Sequence, residues 1–386
     1  MRHETPDRVP VMCQLALGHY FLHGEARPSD IWFDSDVFVH TLIEFQKRYR
    51  LDGILINLPG RPANWRDYLA DDRREGDKER LTWRSGMVTV VPPDDNPHTF
   101  IADGGELPRA DYTRVDPDDP ATYRTPGYLW NTWHAPGLFD VAEAADLTEP
   151  SAYPEWFSRG LRRARESCPE VSVHIEVFSP FTHLLELFGY DRALMALVDA
   201  PETCHRLLGR FGRMVGAMTR CYGPCGPDAV LVSSAFAGAG FISRAMYREF
   251  VLPYERDVVR VIHEFGVPAY THTCGAIGDR LDLMAETGLD GIDTLDPPPL
   301  GTVDLSQAKT EYGERLFFKG NLDAVGEMLR ASDDGFRRAV LQRLAIGKPG
   351  SGYILSSACS VAPHVEPGRV KMLADLAEEH GRYGRE

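Results

Sequence analysis

Eight short runs rich in β-branched and other apolar residues recur along this chain, at Val9–Leu15, Gly53–Leu58, Val171–Val177, Ala229–Ser233, Val267–Thr273, Gly291–Leu295, Leu316–Lys319 and Tyr353–Ser356. Most are separated by stretches of helical periodicity: Asp36–Arg50, Asp191–Arg210, Ser243–Phe265, Ile277–Thr287, Ser306–Tyr312 and Asp333–Leu344. Strand–helix alternation forces crossover connections, which are right-handed and build a parallel sheet. Eight such units predict an α/β fold of the (β/α)8 TIM-barrel type. Barrels commonly reach 386 residues as one unit, so residues 1–386 are expected to form a single domain.

One region departs from the alternation. Between Pro59 and Pro136 lie ten of the 28 prolines, the acidic pairs Asp71–Asp72, Asp94–Asp95 and Asp118–Asp119, and a hairpin-like run at Leu81–Val91. Residues 59–136 therefore form an elaborated insertion after the second strand. It is either a lid or binding loop or a solvated surface excursion.

Composition narrows the function classes. At 43% apolar residues the chain is too hydrophobic to be disordered, yet no apolar run approaches the roughly 18–20 residues of a membrane span. The segment Met1–Pro10 is polar and has neither the apolar stretch nor the cleavage site of a secretory signal, so a cytoplasmic location is expected. A formal charge of −15, with no basic cluster, repels phosphate backbones and argues against nucleic acid as a partner. Seven scattered cysteines, an odd number, are not a disulfide framework.

In a barrel the site lies at the carboxyl ends of the strands. Gln14 and His19 follow the first run, Asn57 ends the second, Glu176 lies near the end of the third, and Ser233 and Ser234 close the fourth. His272 and Cys274 end the fifth, Asp293 and Asp296 the sixth, Lys319 and Asn321 the seventh, and Cys359 follows the eighth. Each polar residue taken singly also satisfies the ordinary need for partners where the backbone turns. His272-Thr273-Cys274 sets two metal-ligating side chains two residues apart, on one side of an extended backbone. With Cys359 they can supply the three protein ligands of a catalytic zinc site, whose fourth position stays open. Thirteen histidines and seven cysteines give His-x-Cys about a quarter of a chance occurrence, so position carries more weight than spelling. Spacing alone fits a buried histidine with two inert cysteines equally well. Cys221 and Cys225, beside Gly223 and Pro224, lack a second ligand pair and are set aside.

These motifs resemble the uroporphyrinogen decarboxylase superfamily, and within it the zinc-dependent methyltransferases that work with corrinoid proteins, including those that methylate coenzyme M. The likeness runs from about Gly189 to the end, plus the first strand. It rests on Gly189-Tyr190-Asp191 through Asp199-Ala200-Pro201-Glu202, and on Ala237-Gly238 with Ile242-Ser243, Tyr247, Phe250 and Pro253-Tyr254. His272-x-Cys274-Gly275, Gly320-Asn321-Leu322-Asp323, and Cys359 with Pro363 complete it. The resemblance implies that His272, Cys274 and Cys359 bind zinc, and that a methyl group moves between a small substrate and a corrinoid (methylcobalamin). No corrinoid-binding fingerprint of the Asp-x-His-x-x-Gly type is present, so the corrinoid is expected free or on a partner corrinoid protein. The expected partners are thus that protein and a small-molecule substrate, with room for a homodimer.

Around the zinc, Glu176, Asp293 or Asp323 is expected as an extra ligand, a partner for His272 or a proton donor, with Glu176 and Asp293 as the catalytic candidates. His19, Asn57, Ser234 and Asn321 are candidates for orienting substrate, and Lys319 for steadying an anion. Two departures count against porphyrinogen decarboxylation. Met12–Tyr20 lacks the arginine pair that decarboxylases carry after the first strand, and Asn57 stands near where their aspartate is expected. Decarboxylation and a non-catalytic role as a corrinoid-protein partner remain the alternatives.

Overall fold

A computed structural model describes residues 1, 3–123 and 146–384 of the chain. Strand β1 (Gly53–Ile56) is followed by β2 (Leu69–Glu75), β3 (Lys78–Trp83), β4 (Val88–Val91) and β5 (His98–Phe100). The remaining strands are β6 (Ser172–Phe178), β7 (Ala229–Ser233), β8 (Ala269–His272), β9 (Gly291–Thr294), β10 (Phe317–Leu322) and β11 (Tyr353–Ser357). Seven of them make one curled parallel sheet in the order β1-β6-β7-β8-β9-β10-β11. Strand order follows chain order, with helices between most strands, which is the arrangement expected of right-handed crossovers. The result is an α/β fold compatible with a TIM-barrel-like architecture.

The first expected strand, Val9–Leu15, does not form a regular strand. It makes isolated parallel bridges instead, Val11 to Leu355 of β11 and Leu15 to Val361 four residues beyond that strand. On its other side the Asp52 backbone N–H donates to Val11 O at 2.8 Å. Pro10 has no N–H to give a ladder, and the Val11 N–H is spent on the Asp52 carboxylate at 2.7 Å. This run still spans the gap between the last and first strands of the sheet.

The helices obey the chain's own punctuation. Asp191–Arg210 is divided into Tyr190–Asp199 and Pro201–Tyr222, and Ser243–Phe265 into Arg244–Phe250 and Leu252–His263. Proline stands in the first turn of each second helix, where its missing N–H costs nothing. Ser35–Tyr49 begins at Asp34, whose carboxylate accepts from Asp36 N and Val37 N, a cap worth about 1 kcal/mol. No helix among the described residues is long and apolar enough to cross a membrane.

The site is set up by the inward faces of the strands. Met12, Leu55, Ala229, Leu231, Tyr270, Phe317 and Ile354 pack together as an apolar plug enclosed by the sheet. Side chains alternate along a strand, so the residue two positions further on faces the same interior one layer higher. That next layer is Gln14, Asn57, Ser233, His272, Lys319 and Ser356. The polar layer therefore rests on a packed floor.

Strands β2 to β5 make a separate antiparallel sheet within 59–136. Its small core of Phe33, Trp65, Leu81, Trp83, Met87 and Leu107 is distinct from the main one. The loop between β4 and β5 lies against the start of the helix Leu17–His23, so closely that a Cβ on Gly18 would stand 2.1 Å from Asp94 O. Residues 124–136 of the expected insertion lie outside the described residues.

Candidate metal centre

His272 ends β8, Cys274 follows it by two residues, and Cys359 lies two residues beyond β11. Their ligand atoms all fall within 4.8 Å of one another. Cys274 Sγ is 3.3 Å from His272 Nε2 and 3.7 Å from Cys359 Sγ. A disulfide would need about 2.05 Å, so the sulfurs are two free thiols. Tetrahedral zinc, bonded at about 2.3 Å to sulfur and about 2.0 Å to nitrogen, sets sulfurs about 3.8 Å apart and sulfur from nitrogen about 3.5 Å apart. The observed spacings match, and an imidazole with two thiolates is the donor set zinc prefers.

The surrounding groups hold these three in place. His272 Nδ1 lies 3.1 Å from Asp293 Oδ2, and Lys319 Nζ donates to Asp293 Oδ1 at 3.0 Å, with all three residues buried. The carboxylate fixes the proton on Nδ1 and leaves Nε2 facing the sulfurs. Burial opposes charge on Asp293, but Lys319 and His272 outweigh it and bring its pKa down to about 2. Burial likewise opposes a charged His272, whereas its bonds to Asp293 and Cys359 raise it to about 10. The Cys359 thiol is pushed down by the hydrogen bond from Cys274 and further by His272. The Cys359 side chain is thus biased toward the thiolate.

Backbone contacts position Cys274. Asp296 accepts from Gly275 N at 2.6 Å, while Cys274 N donates to Ala235 O and Ala239 N to Ala276 O at 2.7 Å. A Cβ on Gly238 would meet Cys274 O at 2.8 Å, so only glycine lets the two loops close. This gives the Ala237-Gly238 motif a physical reason.

The triad opens into a cavity of about 340 Å³. Gln14, Asn57, Glu176, Thr182 and Ser233 form polar walls, and Trp32, Phe178 and Phe236 supply aromatic ones. Asp94, Asp95 and Asn96 reach it from the β4–β5 loop, and Asp94 Oδ2 lies 3.0 Å from His364 Nε2. Glu176 faces the cavity, its pKa raised by burial to about 7 against the opposing pull of His272 and a bond from Ser233.

The structure thus brings Asn57, Glu176, His272, Cys274 and Cys359 together around one space, and other expected residues have different surroundings. Asp293 and Lys319 lie behind His272. His19 is fully buried and bonded through Nε2 to Tyr49 OH at 2.8 Å, outside the cavity lining. Ser234 points away from the interior, with its hydroxyl 2.9 Å from Ser179 Oγ. Asn321 donates to Leu295 O at 2.9 Å and accepts from Arg343 Nε at 3.1 Å, which occupies its amide within the protein. Asp323 caps its own loop by accepting from Val325 N and Gly326 N. The Cys225 thiol turns back toward Cys221 O at 3.7 Å, and neither belongs to the metal-competent group. Trp32 is not expected at the site from sequence, and Asp94–Asn96 are not singled out as site residues within 59–136, a region expected to be either a lid or binding loop or a surface excursion. They come from elements without strand periodicity, and Gly18 is the one local mark of the loop's approach.

A curled parallel α/β sheet with an imidazole and two thiols gathered at its carboxyl end defines an enzyme-type site on a barrel-like scaffold. The sequence model of the uroporphyrinogen decarboxylase (URO-D) family matches residues 135–380, and the chain belongs to that family. It is 30% identical over 194 residues to a uroporphyrinogen decarboxylase of Alkalilimnicola ehrlichii, covering 49% of this chain and 50% of that protein. It is 32% identical over 191 residues to one of Thioalkalivibrio sulfidiphilus, covering 48% and 51%. The chain thus spans about half the length of the curated relatives it matches. Among solved structures, a methyltransferase from Methanosarcina mazei superposes with a TM-score of 0.68 at 14% identity, over 98% of this chain and 96% of that one.

Proposed function

We propose that this protein is a zinc-dependent methyltransferase that moves a methyl group between a small substrate and a corrinoid, free or carried by a corrinoid protein. The observation that carries the proposal is the spacing of His272, Cys274 and Cys359, with sulfurs 3.7 Å apart and unbridged. Zinc bound there supplies a Lewis-acid position at which a thiol is kept as thiolate, or the heteroatom of a methylated compound is polarised.

The chain's own residues do the rest. Asp293 holds His272 in the tautomer that offers Nε2, and Lys319 keeps Asp293 charged. Glu176, with a pKa near neutrality, can exchange a proton with substrate in the cavity. Asn57 and Gln14 offer amides to orient it. Trp32, Phe178 and Phe236 limit the water that reaches it, and the β4–β5 loop acts as a lid whose Asp94 packs against Gly18 and meets His364.

Porphyrinogen decarboxylation is the second reading, favoured by the names of the curated relatives. A substrate with many carboxylates needs guanidinium partners, and among the described residues no Arg or Lys lines the cavity. The test is zinc content together with methyl exchange. The purified protein should carry about one zinc per chain and transfer methyl groups from methylcobalamin to thiols, and Cys359→Ser should abolish both. A metal-free protein that releases carbon dioxide from porphyrinogens would replace this reading with the second.

A further inference from the structure

The charge of the cavity restricts what can sit beside the metal position. Three carboxyl groups face it from two elements: Asp94 and Asp95 from the β4–β5 loop, and Glu176 from β6, its carboxyl left only partly ionised near neutrality by burial. Among the described residues its only basic side chain is His272, already committed to Asp293 and the thiols. Lys319 is spent on Asp293 at 3.0 Å. The nearby guanidinium of Arg61 lies 6.0 Å from the Trp32 ring centre and is absent from the lining. A divalent ion with two thiolates is neutral in sum, as is the Asp293–Lys319 pair, so the surplus in the cavity is negative. The histidines that meet Asp94 and Asp95, His364 at 3.0 Å and His98 at 3.8 Å, lie outside the cavity lining.

The walls also favour a positive guest: Trp32, Phe178 and Phe236 present aromatic rings to the same space, and ring faces attract ammonium groups. An anionic thiol such as coenzyme M, a sulfonate, would meet no cation here.

We propose that the small substrate of this site carries a positive charge beside its metal-binding heteroatom, as an aminothiol does. This rests on the metal reading above. The test uses three two-carbon thiols that differ in charge: cysteamine, 2-mercaptoethanol and 2-mercaptoethanesulfonate. Each is titrated into the Co(II)-substituted protein, following the sulfur-to-cobalt charge-transfer band. Cysteamine should bind about tenfold or more tightly than the neutral thiol, and the sulfonate more weakly than both. Asp94→Asn with Asp95→Asn should narrow that spread while cobalt stays bound. Equal affinities, or a preference for the sulfonate, would overturn the proposal. In parallel the metal-free protein is titrated with tetramethylammonium and methanesulfonate, following tryptophan fluorescence. Selective response to the cation supports the charge argument and response to the anion refutes it, whether or not cobalt binds. Failure to bind cobalt would instead count against the metal centre.

Discussion

Asp293→Asn is the most searching perturbation of the centre, because it changes one charge and almost no volume. Asp293 joins two buried groups, His272 at 3.1 Å and Lys319 at 3.0 Å. At an effective dielectric of about 20, opposite charges 3.0 Å apart attract by about 5 kcal/mol. Leaving Lys319 without its partner should therefore cost about 3–5 kcal/mol of stability. The effect on metal follows from the amide's single acceptor. If Asn Oδ1 accepts from His272 Nδ1–H, the NH₂ group faces the Lys319 ammonium, donor against donor. If it accepts from Lys319 instead, its NH₂ faces Nδ1 and drives the imidazole proton to Nε2, where it blocks the metal. Zinc affinity, measured by competition with a chromophoric chelator, should fall about 10–100-fold. Adding Lys319→Met removes the competing donor, so the double variant should recover both urea stability and most of the zinc affinity. A single variant that binds zinc like the wild type, or a double variant no better than the single, would refute this account of how His272 is held.

Glu255 gives a test of pH dependence away from the metal. Burial pushes its pKa up to about 7 from the model-peptide value of 4.5, although Ser234 and Tyr247 hydrogen-bond to it. Below 4.5 the carboxyl is protonated folded or unfolded, and above 7 the fold must carry a buried charge. Stability should therefore fall as pH rises through that window, by up to about 3 kcal/mol. Glu255→Gln removes the titration, so in urea unfolding the variant should gain on the wild type between pH 5 and pH 8; a constant difference at the two values would sink the argument. Gly18→Ala puts a methyl 2.1 Å from Asp94 O, and the β4–β5 loop must lift. Thiol binding in the Co(II) protein should weaken severalfold while cobalt content holds, and unchanged binding would show that the loop does not help to form the cavity.

The pattern of strands and helices was legible because a two-residue period and a 3.6-residue period leave different traces. Seven of the eight expected runs are regular strands of the parallel sheet. The first is the exception because Pro10 and the Asp52 carboxylate take the places of ladder bonds. The same two-residue period decides which strand-end residues meet. Ser233 and Ser234 are neighbours in sequence, yet Ser233 lines the cavity and Ser234 turns outward toward Ser179. Counting two residues up from Leu231, which packs in the apolar plug, reaches Ser233, and the same step from Tyr270 reaches His272. Asn321 keeps the right parity above Lys319 and still belongs elsewhere, because Leu295 O and Arg343 have claimed its amide. Parity tells where a side chain starts, and only its partners tell whether it remains available.

The β4–β5 loop lay beyond that kind of reading, and the consequence reaches substrate choice. The candidate ligands His272, Cys274 and Cys359 come from the ends of strands, where the fold itself fixes direction, so their placement is written in the spacing of the strands. Charge at the cavity comes largely from Asp94 and Asp95, whose place depends on a separate sheet, on the missing side chain of Gly18, and on the His364 contact. None of these alters the triad. On the proposed reading, substitutions in the 59–136 region should exchange one substrate charge for another while His272, Cys274 and Cys359 stay as they are. Asp94→Lys with Asp95→Lys should move preference from cysteamine toward 2-mercaptoethanesulfonate with no loss of cobalt. If the preference does not move, the lid carries no part of the specificity, and Glu176 and the aromatic rings must account for it alone.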